Sequence, residues 1–157
     1  MKSCDVEIYL WDERYKADFI RLNREWIEKF FKIEPSDEKI FNDPEGVIIG
    51  NGGMVFIAVK DGMAVGCCAL IYHPDSQRYE LAKMAVSPTA QSHGIGYELG
   101  KHVLAYARMK GAEEVFLEAN TKLEASVKLY KKLGFEATPI RDAAYSRCDL
   151  YMICKLR

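Results

Sequence analysis

Hydrophobic and polar residues change their spacing along the chain, and each change predicts the start or the end of an element. Weak alternation over residues 6–10 predicts a first strand, and Asp12 can cap the helix that follows. The next apolar residues recur at three- and four-residue steps, which is the spacing of one face of an amphipathic helix. They are Tyr15, Phe19, Leu22, Trp26 and Phe30. Pro35 ends this helix, residues 36–41 predict a short second helix, and residues 43–53 predict a loop rich in Gly, Asn and Pro.

Two apolar runs in the middle of the chain predict a β-hairpin. They cover residues 54–60 and 63–72, and the Asp61-Gly62 pair between them is a strong signal for a tight hairpin turn. A polar connection then leads to a third apolar run at residues 79–86. We therefore expect three successive strands here.

Strands and helices alternate in the second half of the chain. The pattern predicts a helix over residues 94–110, a strand at 115–119, a helix at 124–133 and a final strand at the apolar run 150–154. Gly111 and Gly134 follow the two helices and are suited to end them. A hairpin followed by alternating elements predicts a mixed sheet with helices on both faces.

Composition narrows the classes of function. A chain of 157 residues with 49% hydrophobic content fits a single domain spanning residues 1–157. The net charge of −1 argues against general attraction to nucleic acids or to membranes. The first residues lack the apolar stretch of a secretory signal, and no run approaches the length of a membrane span, so we expect a cytoplasmic protein.

Cysteine and histidine patterns predict no metal site. The five cysteines, which include Cys4, contain no Cys-x-x-Cys pair. His73 and His102 have no partner at metal-ligand spacing, so we expect structural roles for both. Cys67 and Cys68 lie in a predicted strand with no His or Asp at a supporting position, which favours buried cysteines over a nucleophile.

The segment from Glu80 to Tyr97 carries the main functional signal. It combines an apolar strand, a turn with a proline, a loop with Gly94 and Gly96, and the start of a helix. Glycines allow a ligand to approach the backbone, and the first N–H groups of a helix lack intrahelical partners. Such a loop suits an anion such as a pyrophosphate. The Walker and dinucleotide-binding patterns both fail at this position.

The residues that remain, Gln91-x-x-Gly94-Ile95-Gly96, resemble the acetyl-coenzyme A signature of the GNAT family of N-acetyltransferases. A second block is similar to that family's closing motif and reads Leu129-Tyr130-Lys131-Lys132-Leu133-Gly134-Phe135. The resemblance implies an α/β (α+β) fold with a mixed, mostly antiparallel central sheet of six to seven strands. It also implies a splay between the fourth and fifth strands, helices on both faces, and acetyl-CoA as the acyl donor, without a metal.

The resemblance assigns two catalytic residues. Tyr130 would give a proton to the departing thiolate, and the alternative is a tyrosine packed in the core. Glu80 would take the proton of the amine, and the alternative is a salt bridge with Lys83 or Arg78. If the strand is regular, Glu80 shares a face with Ala82, Met84 and Val86.

The resemblance also implies a set of donor-binding residues. They are Met84, Ala85, Val86, Gln91, Ser92, His93, Gly94, Ile95, Gly96, Tyr97, Asn120 and Tyr130. Two of them depart from the family pattern, because a basic residue is common where Ser92 stands and His93 is charged only when protonated. Asn120 also stands farther from Ser126 than the family spacing has it.

The acceptor would lie against the variable parts of the chain. The predicted contact residues are Asn23, Trp26, Phe30, Glu80, Tyr145 and Arg147. Arg24, Arg141 and Arg147 can bind a carboxylate, whereas Asp142 and Asp149 can hold a cationic amine, so both signs of substrate stay open. The resulting hypothesis is transfer of an acetyl group to a primary amine of a small molecule by direct attack in a ternary complex.

Two alternative functions and one question of assembly remain open from the sequence. The chain can be a protein acetyltransferase acting on lysines or N-termini, or a non-catalytic acyl-CoA sensor. Unpaired strand edges and the apolar run at residues 150–154 also leave a homodimer open.

Overall fold

The computed structural model describes residues 5–91 and 93–157. Cys4 and the predicted donor-binding residue Ser92 lie outside the described residues. The strands are β1 (Glu7–Leu10), β2 (Met54–Lys60), β3 (Met63–His73), β4 (Arg78–Val86), β5 (Glu114–Ala119), β6 (Glu136–Thr138) and β7 (Leu150–Lys155). The helices are α1 (Lys16–Phe30), α2 (Pro35–Asn42), α3 (Ile95–Met109) and α4 (Glu124–Leu133).

The seven strands form one sheet in the order β1-β2-β3-β4-β5-β7-β6. Neighbouring strands are antiparallel except for β4 and β5, which are parallel. The two faces of the sheet carry separate apolar cores. One core contains side chains of α3 such as Leu99 and Val103, and the other contains side chains of α1 such as Phe19 and Leu22. The predicted fold class is confirmed, with helices on both faces.

The sheet opens between β4 and β5. Only two pairs join these strands, Tyr79 with Val115 and Glu80 with Phe116. The remainder of β4, residues 81–86, keeps its ladder with β3 but has none with β5. Backbone N–H and C=O groups that leave a ladder need other partners. This is the predicted splay between the fourth and fifth strands, and it leaves one edge of β4 open for a ligand.

A β-bulge at Lys83 changes which face the later residues of β4 occupy. The β3–β4 register shifts between Cys67 and Ala69, and Lys83 has a φ of 56°. A bulge inserts one extra residue and so reverses the alternation of side chains beyond it. Ala82 therefore packs on the α1 side of the sheet, whereas Met84 and Val86 pack on the α3 side. The expectation that Glu80 shares a face with Met84 and Val86 was wrong, because it assumed a regular strand.

Other element predictions agree with the structure to within a few residues at each end. The hairpin turns at Asp61 and Gly62, both with positive φ, and Gly134 ends α4 with a φ of 108°. The predicted loop at residues 43–53 contains a π-helical turn at Glu45–Ile49, closed by the Gly50 N–H donating to the Glu45 carbonyl at 2.6 Å. The short strand β6 has no counterpart among the predicted elements.

Within residues 5–91 and 93–157, no helix has the length and apolar character needed to cross a membrane.

Candidate active site

A cavity of about 110 Å³ lies at the opening between β4 and β5. Its walls come from α1, β4, β5, α4 and residues 145–148. It brings together eight of the predicted site residues, namely Asn23, Trp26, Glu80, Met84, Asn120, Tyr130, Tyr145 and Arg147. Phe30 is not part of this wall. Its neighbour Phe31 takes that place, and Phe30 instead packs edge-on against Trp26 with ring centroids 5.0 Å apart.

A second, larger cavity of about 730 Å³ meets the first one at three residues, Glu80, Glu118 and Tyr145. It extends between α2, the turn after β3 and the segment that joins β6 to β7 (residues 139–149, called the β6–β7 segment below). His73 and Arg78 line it beside Glu80. Glu80 therefore lines both cavities.

Tyr130 approaches the small cavity from α4. Its ring packs edge-on against Phe135 with centroids 6.1 Å apart, and the side chain adjoins the core on the α3 side of the sheet. No described group forms a hydrogen bond with its hydroxyl. Burial raises the pKa of Tyr130 well above its ordinary value. The phenol therefore stays protonated at neutral pH, as a proton donor must.

Glu80 approaches from β4 and is nearly buried, with a side chain 8% exposed. Its Oε1 lies 2.8 Å from Nε2 of His73, whose side chain is 41% exposed. Neither of the two predicted salt-bridge partners pairs with it. Lys83 is bonded to Asp37, and Arg78 donates to the Tyr151 hydroxyl at 2.8 Å.

His73 is a site residue that sequence reasoning missed. The β3–β4 register places His73 opposite Arg78 and Ile71 opposite Glu80, so His73 and Glu80 are diagonal neighbours across the hairpin. Such diagonal pairs lie within reach of long side chains. The signal was present in the sequence, but reading it requires the register of the hairpin.

A buried group of charges lies beside the small cavity. Lys83 Nζ donates to Asp37 Oδ1 at 2.5 Å and to the Tyr145 hydroxyl at 3.0 Å. Arg147 donates to both oxygens of Asp37, at 2.8 and 3.0 Å. Burial alone would raise the pKa of the Asp37 carboxyl, but the bonds from Arg147 and the charge of Lys83 hold it below its ordinary value. Burial lowers the pKa of the Lys83 ammonium, and Asp37 offsets part of that effect.

Two predicted carboxylate-binding arginines are thus engaged within the protein. Arg147 pairs with Asp37 and also with Glu34, and Arg24 pairs with Glu38 at 2.6 Å. The third, Arg141, lines the larger cavity.

The β6–β7 segment is fastened over the opening by several hydrogen bonds. Glu118 accepts the N–H groups of Ala144 at 2.9 Å and of Tyr145 at 3.3 Å. Asn120 donates to the Arg147 carbonyl at 2.8 Å and accepts the Lys122 N–H at 2.8 Å. Asn120 therefore supports this segment, and its predicted contact with the donor stays a prediction. Burial, with a smaller contribution from the Glu80 charge, raises the pKa of Glu118.

The glycine loop leads directly into α3. Gly94 precedes the helix in a left-handed conformation with a φ of 77°, and no described side chain caps the first turn. The Gln91 side chain donates to the Val86 carbonyl at 3.0 Å, and the His93 ring bonds to the Ala90 carbonyl at 3.1 Å. These bonds fold the loop and leave the N–H groups at the start of α3 for another acceptor. Lys132 lies over the Tyr97 ring at 4.3 Å, so a basic side chain adjoins the loop.

The two central cysteines are poorly suited to act as nucleophiles. Cys67 and Cys68 are fully buried, and burial raises the pKa of the Cys67 thiol to about 12. The reactive form of cysteine is the thiolate, which such burial suppresses. Among the described residues, no three His, Cys, Asp or Glu side chains are grouped as a metal site requires.

Comparison with known proteins places this arrangement in a family. The model of the Acetyltransferase (GNAT) family matches residues 10–135. N-acetylaspartate synthetase of Rattus norvegicus is 34% identical over 84 residues, which is 54% of this chain and 28% of that protein. The match thus spans less than a third of the length of that relative.

Solved structures agree in fold. A GNAT-family acetyltransferase from Staphylococcus aureus Mu50 superposes with a TM-score of 0.86 at 19% identity, over 98% of this chain and all of the other. N-acetylglutamate synthase from Neisseria gonorrhoeae, complexed with coenzyme A and N-acetyl-glutamate, gives 0.75 at 22% identity over 98% of this chain and 36% of the other. With a family model that covers most of its length, the chain belongs to the GNAT family of acetyltransferases.

Proposed function

We propose that this enzyme transfers the acetyl group of acetyl-CoA to a primary amine of a small molecule, by direct attack in a ternary complex. The observation that carries the proposal is the opening between β4 and β5, where Glu80 and Tyr130 line one cavity from different elements. A carboxylate and a phenol that line one space match the proton acceptor and proton donor that the reaction needs.

The acetyl-CoA site would combine the open strand edge with the glycine loop. The pyrophosphate would accept N–H groups from Gln91, His93 and Gly94 in the loop and from Ile95, Gly96 and Tyr97 in the first turn of α3. The pantetheine arm would lie along Met84, Ala85 and Val86, where β4 has no ladder with β5. Because these contacts use the main chain, the identity of the side chains there matters little.

The reaction would proceed in three proton movements and one acyl transfer. Glu80 takes a proton from the acceptor ammonium, and the free amine attacks the thioester carbonyl. The C–S bond breaks as the tetrahedral intermediate collapses, and Tyr130 gives its proton to the leaving thiolate. The second amine proton then restores the Tyr130 phenol. A direct attack fits the site better than an acyl-cysteine intermediate, because burial suppresses the thiolates of Cys67 and Cys68.

The fastened β6–β7 segment favours a small acceptor over a protein. Bonds from Glu118, Asn120 and Asp37 hold this segment against the site. A protein substrate needs an open groove for its chain, whereas this segment encloses the cavity on the side of Tyr145. The acceptor amine would meet Glu80 in the small cavity, beside the predicted contacts Asn23 and Trp26, with Phe30 packed against Trp26.

Amino acids are the acceptor class to try first. The rat relative is named for N-acetylaspartate, and the Neisseria structure contains N-acetyl-glutamate. Arg78 and Arg141 line the larger cavity and are placed to meet a carboxylate there. Arg147 is a weaker choice for that contact, since Asp37 occupies its guanidinium.

The test is acetyl-CoA-dependent thiol release in the presence of amino acids, diamines and a lysine-containing peptide. We expect release with a small amine and none with the peptide, and we expect Glu80→Gln and Tyr130→Phe to suppress it. Release with the peptide alone would favour a protein acceptor. Binding of acetyl-CoA without release under any condition would favour the sensor alternative.

A further inference from the structure

The proposed base Glu80 needs a route by which it can release its proton. An ammonium and a thioester become an amide and a thiol, so each turnover releases one proton to solvent. If Glu80 takes that proton, it must give it up before the next turnover. Its side chain is only 8% exposed, so direct exchange with bulk water is poor.

We propose that His73 is the proton exit of Glu80, an inference that rests on the proposed function of Glu80 as the base. The imidazole meets both requirements of an exit. Its Nε2 lies 2.8 Å from Glu80 Oε1, and its side chain is 41% exposed. It also lines the larger cavity, whereas Tyr130 lines the small one, and Glu80 lines both.

The transfer can be written atom by atom. The amine proton binds to Glu80 and moves from Oε1 to Nε2 of His73, which breaks the O–H bond and forms an N–H bond. The resulting imidazolium loses its Nδ1 proton to water. Exchange of the two neutral tautomers with solvent, which the exposure of the ring allows, restores Nε2 as an acceptor. Glu80 is again a carboxylate, and no other reactant is needed.

Packing holds the imidazole in this place. Its ring lies 5.7 Å from the Phe116 ring, tilted by 35°, at the end of β3. Phe116 is also the partner of Glu80 across the two-residue β4–β5 ladder. The same short ladder therefore aligns the carboxylate with the ring that would relay its proton.

The charged and titratable groups around the pair come from six parts of the chain. Arg78 and Lys83 lie on β4, Glu118 on β5, and Tyr151 on β7. Asp75, Arg141, Asp142 and Tyr145 lie in the turn after β3 and in the β6–β7 segment, and Lys39 lies on α2. Among the described residues, none of these groups forms a direct hydrogen bond with the Glu80 carboxylate. Its hydrogen-bond partner is His73.

The test compares thiol release by the wild type, His73→Gln and Glu80→Gln, with saturating substrates from pH 5.5 to 9. Glutamine keeps a hydrogen-bond donor beside Glu80 but cannot carry a proton. We expect His73→Gln to lower kcat by about tenfold or more without raising KM, within the range of general acid–base effects. Added 2-methylimidazole should restore much of that loss and should leave the wild type unchanged. His102→Gln is the matched control, because His102 is an exposed histidine of α3 that lines neither cavity.

The outcomes distinguish the proposed role of His73 in proton release from the proposed role of Glu80 as the base. If Glu80→Gln loses activity while His73→Gln keeps kcat within twofold across the pH range, the exit is wrong and the base stands. If His73→Gln loses activity without rescue by the imidazole, its role is structural, and the exit is again wrong. If Glu80→Gln keeps full activity, both proposals fall. His73→Asn replaces His73→Gln if the latter does not fold.

Discussion

Lys83 donates to Asp37 at 2.5 Å in a position where the two side chains are 4% and 0% exposed. Lys83 reaches that position from the β4 bulge, whose backbone has a φ of 56°. Arg147 binds the same carboxylate from the β6–β7 segment. A carboxylate on α2 thus joins the bulged strand to the segment over the candidate active site, and it is the only carboxylate that both cations share among the described residues.

Asp37→Asn should destabilise the protein strongly. The change removes the anion and leaves the Lys83 and Arg147 charges buried beside each other, and breaking a buried pair in this way typically costs about 3–5 kcal/mol. Urea denaturation at pH 7 measures the difference in free energy of unfolding. Glu38→Gln on the same helix is the control, because the exposed Arg24–Glu38 pair should contribute less than about 1 kcal/mol. Equal effects of the two changes would contradict the role given to Asp37.

Acid should weaken the folded state through the same carboxyl. The pKa of Asp37 is lower in the folded protein than its ordinary value of 3.8, so the unfolded chain binds a proton first as the pH falls. The stabilisation is fully present well above pH 3.8 and is lost as the pH falls through the lower folded pKa. Denaturation of the wild type at several pH values between 7 and 2 should show this loss. Asp37→Asn should show a smaller decline below pH 4, and parallel declines would count against the assignment.

Local sequence signals were sufficient for most of the fold and for half of the site. The hairpin, α4 and the glycine loop were predictable because turn residues and apolar spacing are properties of neighbouring residues. Tyr130 lies on a regular helix, and its direction follows from the helical period. Its place at the site was implied by the resemblance to the family's closing motif, and Tyr130 lines the small cavity.

Features that depend on distant residues were not predictable in this way. The bulge at Lys83 adds one residue to β4, and no local sequence pattern marks it. The predicted face of Met84 on the sheet was therefore wrong. Asp37 and Arg147 are 110 positions apart in the sequence, and their bond depends on how α2 and the β6–β7 segment pack. For the same reason, the sequence predicted Arg147 as a carboxylate ligand for the substrate, whereas in the structure Arg147 binds Asp37.

Tyr130→Phe should lower kcat by about a hundredfold or more while leaving acetyl-CoA binding unchanged, since general acid catalysis contributes about 10²–10⁴. The phenyl ring keeps the packing against Phe135 and removes only the hydroxyl. Tyr106→Phe is a suitable control, because Tyr106 packs against Phe56 and lines neither cavity. Thiol release measures the rate, and thermal unfolding with acetyl-CoA measures binding. A Tyr130→Phe enzyme with the wild-type rate would remove Tyr130 from the mechanism.

Acetyl-CoA should stabilise the wild type against thermal unfolding, by about 2.7 kcal/mol at one hundred times its Kd, and Gly94→Ala should reduce that gain. Gly94 and Gly62 have nearly equal positive φ angles, 77° and 78°, so alanine at either position carries a similar backbone strain of about 1–2 kcal/mol. Only Gly94 precedes α3, where a shift of the backbone misaligns the N–H groups proposed for the pyrophosphate. We therefore expect both variants to melt earlier without ligand, and only Gly94→Ala to bind acetyl-CoA at least about fivefold more weakly, a difference of roughly 1 kcal/mol. Free adenosine diphosphate should stabilise the wild type less, because it lacks the pantetheine arm that would lie along β4. Equal ligand gains for Gly94→Ala and Gly62→Ala would move the donor phosphates away from this loop.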